Sequence, residues 1–158
     1  MKKSIYIAII SLLLTNNANA LQRVGFSPSS VCKDNIIELI HTAKHSIDFA
    51  IFTFTDIDIA NALHIAHSHG IEVNFVYDKS QAKSKHSQVE YLLDAEINGK
   101  PGKTRGLMHN KYIIIDNKIL LTGSFNWTKN AVRSNNENCI VLDDAEIVSS
   151  FVNNFKGL

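Results

Sequence analysis

Cysteine is almost missing from this 158-residue chain, in which Cys32 and Cys139 are the only two. They cannot form a Cys-x-x-Cys pair, and no His-Glu-x-x-His is present, so the common zinc and redox signatures are excluded. No charge of one sign dominates either. Sixteen Lys and Arg face fifteen Asp and Glu, a formal net charge of +1, so bulk electrostatics do not announce a nucleic-acid binder. No internal repeat or low-complexity segment is visible. The one long apolar run, residues 5–14, is about half of the roughly 20 residues that span a bilayer.

What is present reads as an exported single domain. Lys2 and Lys3 precede the apolar run, and Ala18-Asn19-Ala20 supplies a small-x-small cleavage site. Residues 1–20 therefore read as a cleaved secretory signal peptide. The mature chain, residues 21–158, is expected in the periplasm or outside the cell, without a transmembrane segment. Without Lys2 and Lys3, fourteen basic residues face fifteen acidic ones, a net of −1. A local bias survives over residues 79–111, where Lys79, Lys83, Lys85, Lys100, Lys103, Arg105 and Lys111 outnumber Glu90, Asp94 and Glu96. Around a site, these basic residues could hold a polyanion. An oxidising compartment permits a disulfide, but the apolar strand pattern around Cys139 predicts two independent, partly buried thiols.

Hydrophobic periodicity outlines an α/β domain. Residues 32–44 carry Ile36, Ile37, Leu39, Ile40 and Ala43 at helical spacing. Residues 46–54 form an apolar strand, and Asp56 or Asp58 caps a helix that ends at Gly70. A second buried strand covers residues 71–77. Strand, helix, strand is a βαβ unit, which makes these two strands parallel. Residues 84–95 are predicted helical. Asn98-Gly99, Pro101-Gly102 and Gly106 then read as turns in a loop that is either a rim over the site or a plain connection. A polar stretch over residues 128–136, a strand over 137–142 and an amphipathic helix over 144–155 complete the chain. The expected fold is a mixed, mainly parallel sheet flanked by helices on both faces.

The most informative stretch is residues 108–126. His109, Lys111 and Asp116 follow His-x-Lys-x-x-x-x-Asp, and Gly123-Ser124-x-Asn126 follows closely. Residues 112–115 and 119–122 are apolar runs separated by Asp116-Asn117-Lys118, a β-hairpin pattern. A two-residue turn at Asn117-Lys118 would pair Asp116 with Ile119, Lys111 with Ser124 and His109 with Asn126. Four polar side chains would then share one face, roughly 5 Å apart across the strands, and form a phosphate site. A three-residue turn would instead send Ser124 and Asn126 to the opposite face.

These motifs resemble the signature of the phospholipase D superfamily, and residues 24–156 as a whole resemble its small bacterial single-motif endonucleases. The resemblance implies a single phospholipase D-like domain with a catalytic β-hairpin, and cleavage through a phosphohistidine on His109, with no metal and no cofactor. Lys111 and Asn126 would hold phosphoryl oxygens, Ser124 would support them, and Glu137 would orient the imidazole. Gly123 belongs to the motif, and Asp116 at the turn reads as structural rather than chemical. One histidine cannot easily be nucleophile and acid together. Larger members carry the motif twice, so a single copy implies a homodimer with a shared active site. Lys103, Arg105 and Trp127 are candidate substrate contacts.

The function so implied is an exported, metal-independent phosphodiesterase, foremost a non-specific endonuclease acting on DNA or RNA. The alternative is a phospholipase D acting on phospholipid head groups, for which Leu107, Met108, Phe125 and Trp127 could form an apolar lip. A third reading is a non-catalytic polyanion-binding protein. His41 and His45, and the cluster His64, His67 and His69, are read as ordinary solvent-facing histidines.

Overall fold

The computed structural model describes residues 21–158, and the signal peptide expected over residues 1–20 lies outside the described residues. Seven strands form one sheet: β1 (Gln22–Phe26), β2 (Ser46–Ile51), β3 (Glu72–Tyr77), β4 (Asn98–Pro101), β5 (Lys111–Ile115), β6 (Ile119–Gly123) and β7 (Asn138–Leu142). Their order is β1-β7-β6-β5-β2-β3-β4. The helices are α1 (Val31–Thr42), α2 (Ile57–Ser68), α3 (Val89–Asp94), α4 (Lys129–Arg133) and α5 (Ala145–Gly157).

Local chemistry explains the first half. α1 buries Cys32, Ile36, Leu39 and Ile40 along one face, the stripe that a 3.6-residue period requires. α2 starts at Asp56, whose carboxylate accepts from the backbone N–H groups of Asp58 at 3.0 Å and Ile59 at 3.3 Å. The same carboxylate meets Lys33 Nζ at 2.9 Å, tying the start of α2 to α1. Gly70, at φ 86°, ends the helix, a backbone position that favours glycine. β2 and β3 run parallel from Ser46↔Glu72 to Ile51↔Tyr77, as a right-handed βαβ crossover demands. Helices cover both faces of the sheet. α1, α2 and α3 pack on the larger core around Phe49, Phe75 and Ile113. α5 seals the other face with Val148, and its Phe151 meets Tyr112 edge-on at 5.0 Å.

The sheet is mixed, but the expected parallel majority is corrected. Only β2–β3 and β3–β4 are parallel, whereas β1–β7, β7–β6, β6–β5 and β5–β2 are antiparallel. The hairpin β5–β6 inserts its first strand against β2, and every strand beyond it follows in antiparallel sense. Two edge strands were not expected. β1 lies in the lead before Pro28, and β4 contains the Asn98-Gly99 pair that reads as a turn. Gly99 is needed here for packing, because a Cβ would collide with the ring of Phe75 on the neighbouring strand. Among residues 84–95 only Val89–Asp94 is α-helical.

The two cysteines also differ from expectation. Cys32 and Cys139 form a disulfide with a Cα–Cα distance of 5.8 Å. It joins the first turn of α1 to β7 across 107 residues, and both sulfurs sit inside the larger core. Both residues are fully buried where partly buried thiols were expected, and sequence spacing carries no information about the fold bringing α1 over β7.

Candidate active site

The β5–β6 hairpin forms with a different register from the one expected. Asp116 and Asn117 have φ of 53° and 54°, the positive signs a type I′ turn uses, and Lys118 N donates to Ile115 O at 2.9 Å. The ladder nevertheless pairs Ile115 with Ile119 and Tyr112 with Thr122. Asp116, Asn117 and Lys118 together form a three-residue connection, so Lys111 does not face Ser124 and His109 does not face Asn126. The cause lies outside the hairpin. The Asp116 carboxylate accepts from the backbone N–H groups of Lys44 (2.9 Å), His45 (2.7 Å) and Ser46 (2.9 Å), and its own N–H donates to Ser46 O. Burial opposes its ionisation, but these three amides prevail and hold its pKa below the ordinary carboxylate value. Asp116 thus clamps the α1–β2 loop as well as the turn.

The polar residues still gather at one end of the sheet, by another route. Gly123 ends β6 where its backbone passes so close to Asn138 that a Cβ would strike the Asn138 carbonyl, and its φ of 154° also disfavours a side chain. Beyond it, Ser124 N donates to Asn138 O and Asn138 N donates to Ser124 Oγ, each at 3.1 Å. Ser124 Oγ then donates to Glu137 Oε2 at 2.5 Å, and Asn135 Nδ2 donates to Glu137 Oε1 at 2.9 Å. The next residues zip onto the segment after β2. Thr53 N donates to Asn126 Oδ1 at 3.2 Å, Trp127 N to Thr53 O at 3.1 Å and Thr55 N to Trp127 O at 2.8 Å. Asn126 is thereby oriented through its oxygen, and its amide nitrogen has no hydrogen-bond partner among the described residues.

On the other side of that segment, Phe52 lies against the exposed His109, with ring centroids 4.3 Å apart. Lys111, almost fully buried, directs its Nζ to His109 Nδ1 at 3.1 Å and donates to His109 O at 2.7 Å. Its ammonium sits 5.1 Å from the Phe52 ring centroid, within cation–π range. Burial lowers the Lys111 pKa, and the charge of Glu137 works against that shift. Glu137 is therefore close enough to act on Lys111 electrostatically. It makes no hydrogen bond to His109 within the chain; its two oxygens accept from Ser124 and Asn135. The expected Glu137–imidazole contact is absent from a single chain.

The candidate substrate contacts divide. Lys103 lines a hollow of about 300 Å³ together with His109 and Asn110. Arg105 lines an adjoining hollow of about 310 Å³ with Lys79 and Lys83. Trp127 is corrected: it is 1% exposed, sits 4.9 Å from Phe49 and 5.0 Å from Phe54 by ring centroids, and cannot stack on a base. Met108 and Phe125 are also buried, so of the expected apolar lip only Leu107, 58% exposed, faces solvent.

Two supports escaped the sequence reading. Phe52 looked like one more apolar residue of a strand. Asp78 looked like a strand end, yet it is buried and accepts from Ser80 N, Gln81 N and Met108 N at 2.9, 3.0 and 3.0 Å. These bonds hold its pKa low against the opposing effect of burial, and they fix the backbone immediately before His109. No cluster of three His, Cys, Asp or Glu residues able to hold a metal occurs among the described residues. No described helix is long and apolar enough to cross a membrane.

Comparison with known proteins places this geometry. Residues 36–158 match the family model described as cardiolipin synthase, PLD-like domain. The chain is 34% identical over 137 residues to a mitochondrial cardiolipin hydrolase of Chlamydomonas reinhardtii, covering 87% of this chain and 61% of that protein. It is 40% identical over 130 residues to a phospholipase D of Rickettsia bellii, covering 82% and 65%. The chain thus spans less than two thirds of the length of either relative. The crystal structure of Nuc from Salmonella typhimurium, a phospholipase D family member, superposes with a TM-score of 0.82 at 30% identity, covering 87% of this chain and 93% of that one.

Proposed function

The chain belongs to the phospholipase D superfamily, and from that premise we propose that it is an exported phosphodiesterase whose foremost substrate is nucleic acid. The observation that carries this reading is the convergence at one sheet end of His109, Lys111, Ser124, Asn126 and Glu137, with Lys111 Nζ 3.1 Å from the imidazole. In the proposed reaction His109 attacks phosphorus through Nε2, the ring nitrogen not facing Lys111. Nε2 has a free lone pair in the tautomer whose proton sits on Nδ1; in that state Lys111 is held by the His109 carbonyl alone. The N–P bond forms as the P–O bond to the leaving alcohol breaks. His109 of the partner subunit protonates that oxygen, then takes a proton from the water that releases the phosphohistidine. Lys111 and the free amide nitrogen of Asn126 stabilise charge on the phosphoryl oxygens, the work a metal does in other phosphodiesterases.

A single copy of the His-x-Lys motif per chain supports a homodimer with a composite site. A Cys32–Cys139 disulfide fits an oxidising compartment and supports export to the periplasm or beyond. The names of the relatives, a cardiolipin hydrolase and a phospholipase D, point to lipid, and phospholipid hydrolysis is the second reading. Exposed Leu107 favours it. The burial of Met108, Phe125 and Trp127 weighs against it, since an acyl chain needs apolar surface to lie on. A bare polyanion-binding role would not require the whole reactive set.

The test is to incubate the purified chain, with the first 20 residues removed, with plasmid DNA and with phosphatidylcholine vesicles, both in excess chelator. Nicking that survives chelation and is lost in His109→Ala supports the nuclease. Head-group release alone supports the lipase, and inactivity on both leaves the binding protein.

A further inference from the structure

A groove of about 720 Å³ opens at Asn126, between the segments after β2 and β3 and the start of α4. Its walls are Thr, Ser, Asn and Gln side chains together with Lys85, His86 and Lys129. Among the described residues that line it there is no carboxylate and no apolar side chain. Its volume is that of a pocket enclosing a drug-sized molecule, far more than one phosphoryl group fills. Asp58, the acidic residue whose field reaches Lys129, is already bound by Lys33 Nζ at 2.6 Å.

Resting on the phosphodiesterase reading above, we propose that this groove is a second phosphate-binding region of the substrate site. In it Lys85 and Lys129 hold backbone phosphates of a nucleic-acid strand next to the one being cleaved at His109. Three features carry the assignment. The groove shares Asn126 with the reaction site, so a strand whose scissile phosphate meets Asn126 continues into it. No carboxylate lines it, and its two lysines suit a repeating anion. Every residue that lines it is polar or charged, so sugars and phosphates find hydroxyl and amide partners there. Lys103, in a separate hollow lined also by His109, provides further positive charge for the strand outside the groove. Sequence alone could not assemble the groove, because Lys85, Asn126 and Lys129 come from segments about forty residues apart, brought together by the sheet.

The test has a catalytic and a binding arm. With wild-type protein, hydrolysis of bis(p-nitrophenyl) phosphate first establishes the parent activity. In Lys85→Ala/Lys129→Ala, kcat/KM for a twelve-nucleotide single strand should fall at least tenfold relative to that for the small diester. The slope of log(kcat/KM) against log[salt] should lessen by about 1.4, or about 0.7 per lost phosphate contact on a single strand. Lys85→Arg/Lys129→Arg should restore both. The binding arm places the double substitution in a His109→Ala background and measures fluorescence polarisation of a labelled oligonucleotide, expecting the same change in salt slope. If the wild type cleaves no diester, the parent reading fails, and polarisation still decides the groove. An unchanged ratio and slope overturns the proposal, as does a greater loss on phosphatidylglycerol vesicles than on the oligonucleotide.

Discussion

Lys111 Nζ lies 3.1 Å from His109 Nδ1 and donates to the His109 carbonyl at 2.7 Å, so one buried ammonium fixes the backbone of the proposed nucleophile and lies against its ring. Serving the site in this way costs stability, since burial disfavours the charged form and Glu137 offsets that only in part.

Lys111→Met should therefore abolish cleavage, by a factor of at least about 100 for the loss of preorganised charge, while making the fold more stable near neutral pH. The sign follows from linkage. The folded pKa lies below 10.5, so between the two values the unfolded chain holds a proton that the folded one has released, and stability rises with pH across that window. The penalty is fully present below the folded pKa and gone above the unfolded one. Urea denaturation should show the variant ahead of wild type near neutral pH, with the gap closing toward the ordinary lysine value. A variant less stable than wild type at neutral pH would falsify this account.

Asp116→Ala should act on stability and leave the site chemistry to the fraction that stays folded. Three backbone amides lose a charged acceptor, a loss of about 2–4 kcal/mol for hydrogen bonds of this kind. The folded pKa is depressed, so this contribution is present above the unfolded value of 3.8 and is lost as pH falls through the folded value. The acid limb of the stability profile should be shallower in Asp116→Ala than in wild type. Equal acid limbs in thermal melts would count against the clamp.

That clamp also shows what was legible in the sequence and what was not. The apolar spacing of Ile36, Leu39 and Ile40 reports α1 directly, and the alternation of strand and helix from Ser46 to Tyr77 reports the parallel pair. The existence of the hairpin was legible for the same local reason. Its register was not, because Asp116 is drawn out of the strand by amides some seventy residues earlier, and local turn chemistry at Asn117-Lys118 cannot compete with three charge-assisted hydrogen bonds. Ser124 and Asn126, singled out by motif, are held by Glu137 and Thr53 and not by cross-strand pairing. Trp127 failed differently. One position beyond Asn126 the chain turns inward, and an aromatic that looks like a stacking platform becomes the centre of the Phe49–Phe54 cluster.

Trp127→Ala is accordingly expected to cost about 3–5 kcal/mol of stability, as a large core aromatic does. At temperatures where the variant stays folded, the salt dependence of oligonucleotide affinity should be that of wild type. A selective loss of nucleic-acid affinity without a fall in melting temperature would contradict the buried placement.

Replacing both Cys32 and Cys139 with alanine should lower stability by about 4–5 kcal/mol for a loop of this length in the chain-entropy model. Because both residues lie in the larger core, the loss should exceed what mild reduction of the wild type produces, since reduction keeps the sulfur volume in place. Melting temperatures of wild type, reduced wild type and the double variant, in that descending order, are the expected result.

The composite site makes a quantitative demand on mixed chains. If each active centre needs His109 from two subunits, mixing equal amounts of wild type and His109→Ala and allowing exchange leaves about one dimer in four with both imidazoles. At constant total protein, activity should settle near a quarter of that of pure wild type, and dilution below the dimer dissociation constant should reduce it further. Independent sites would settle near a half and be indifferent to dilution.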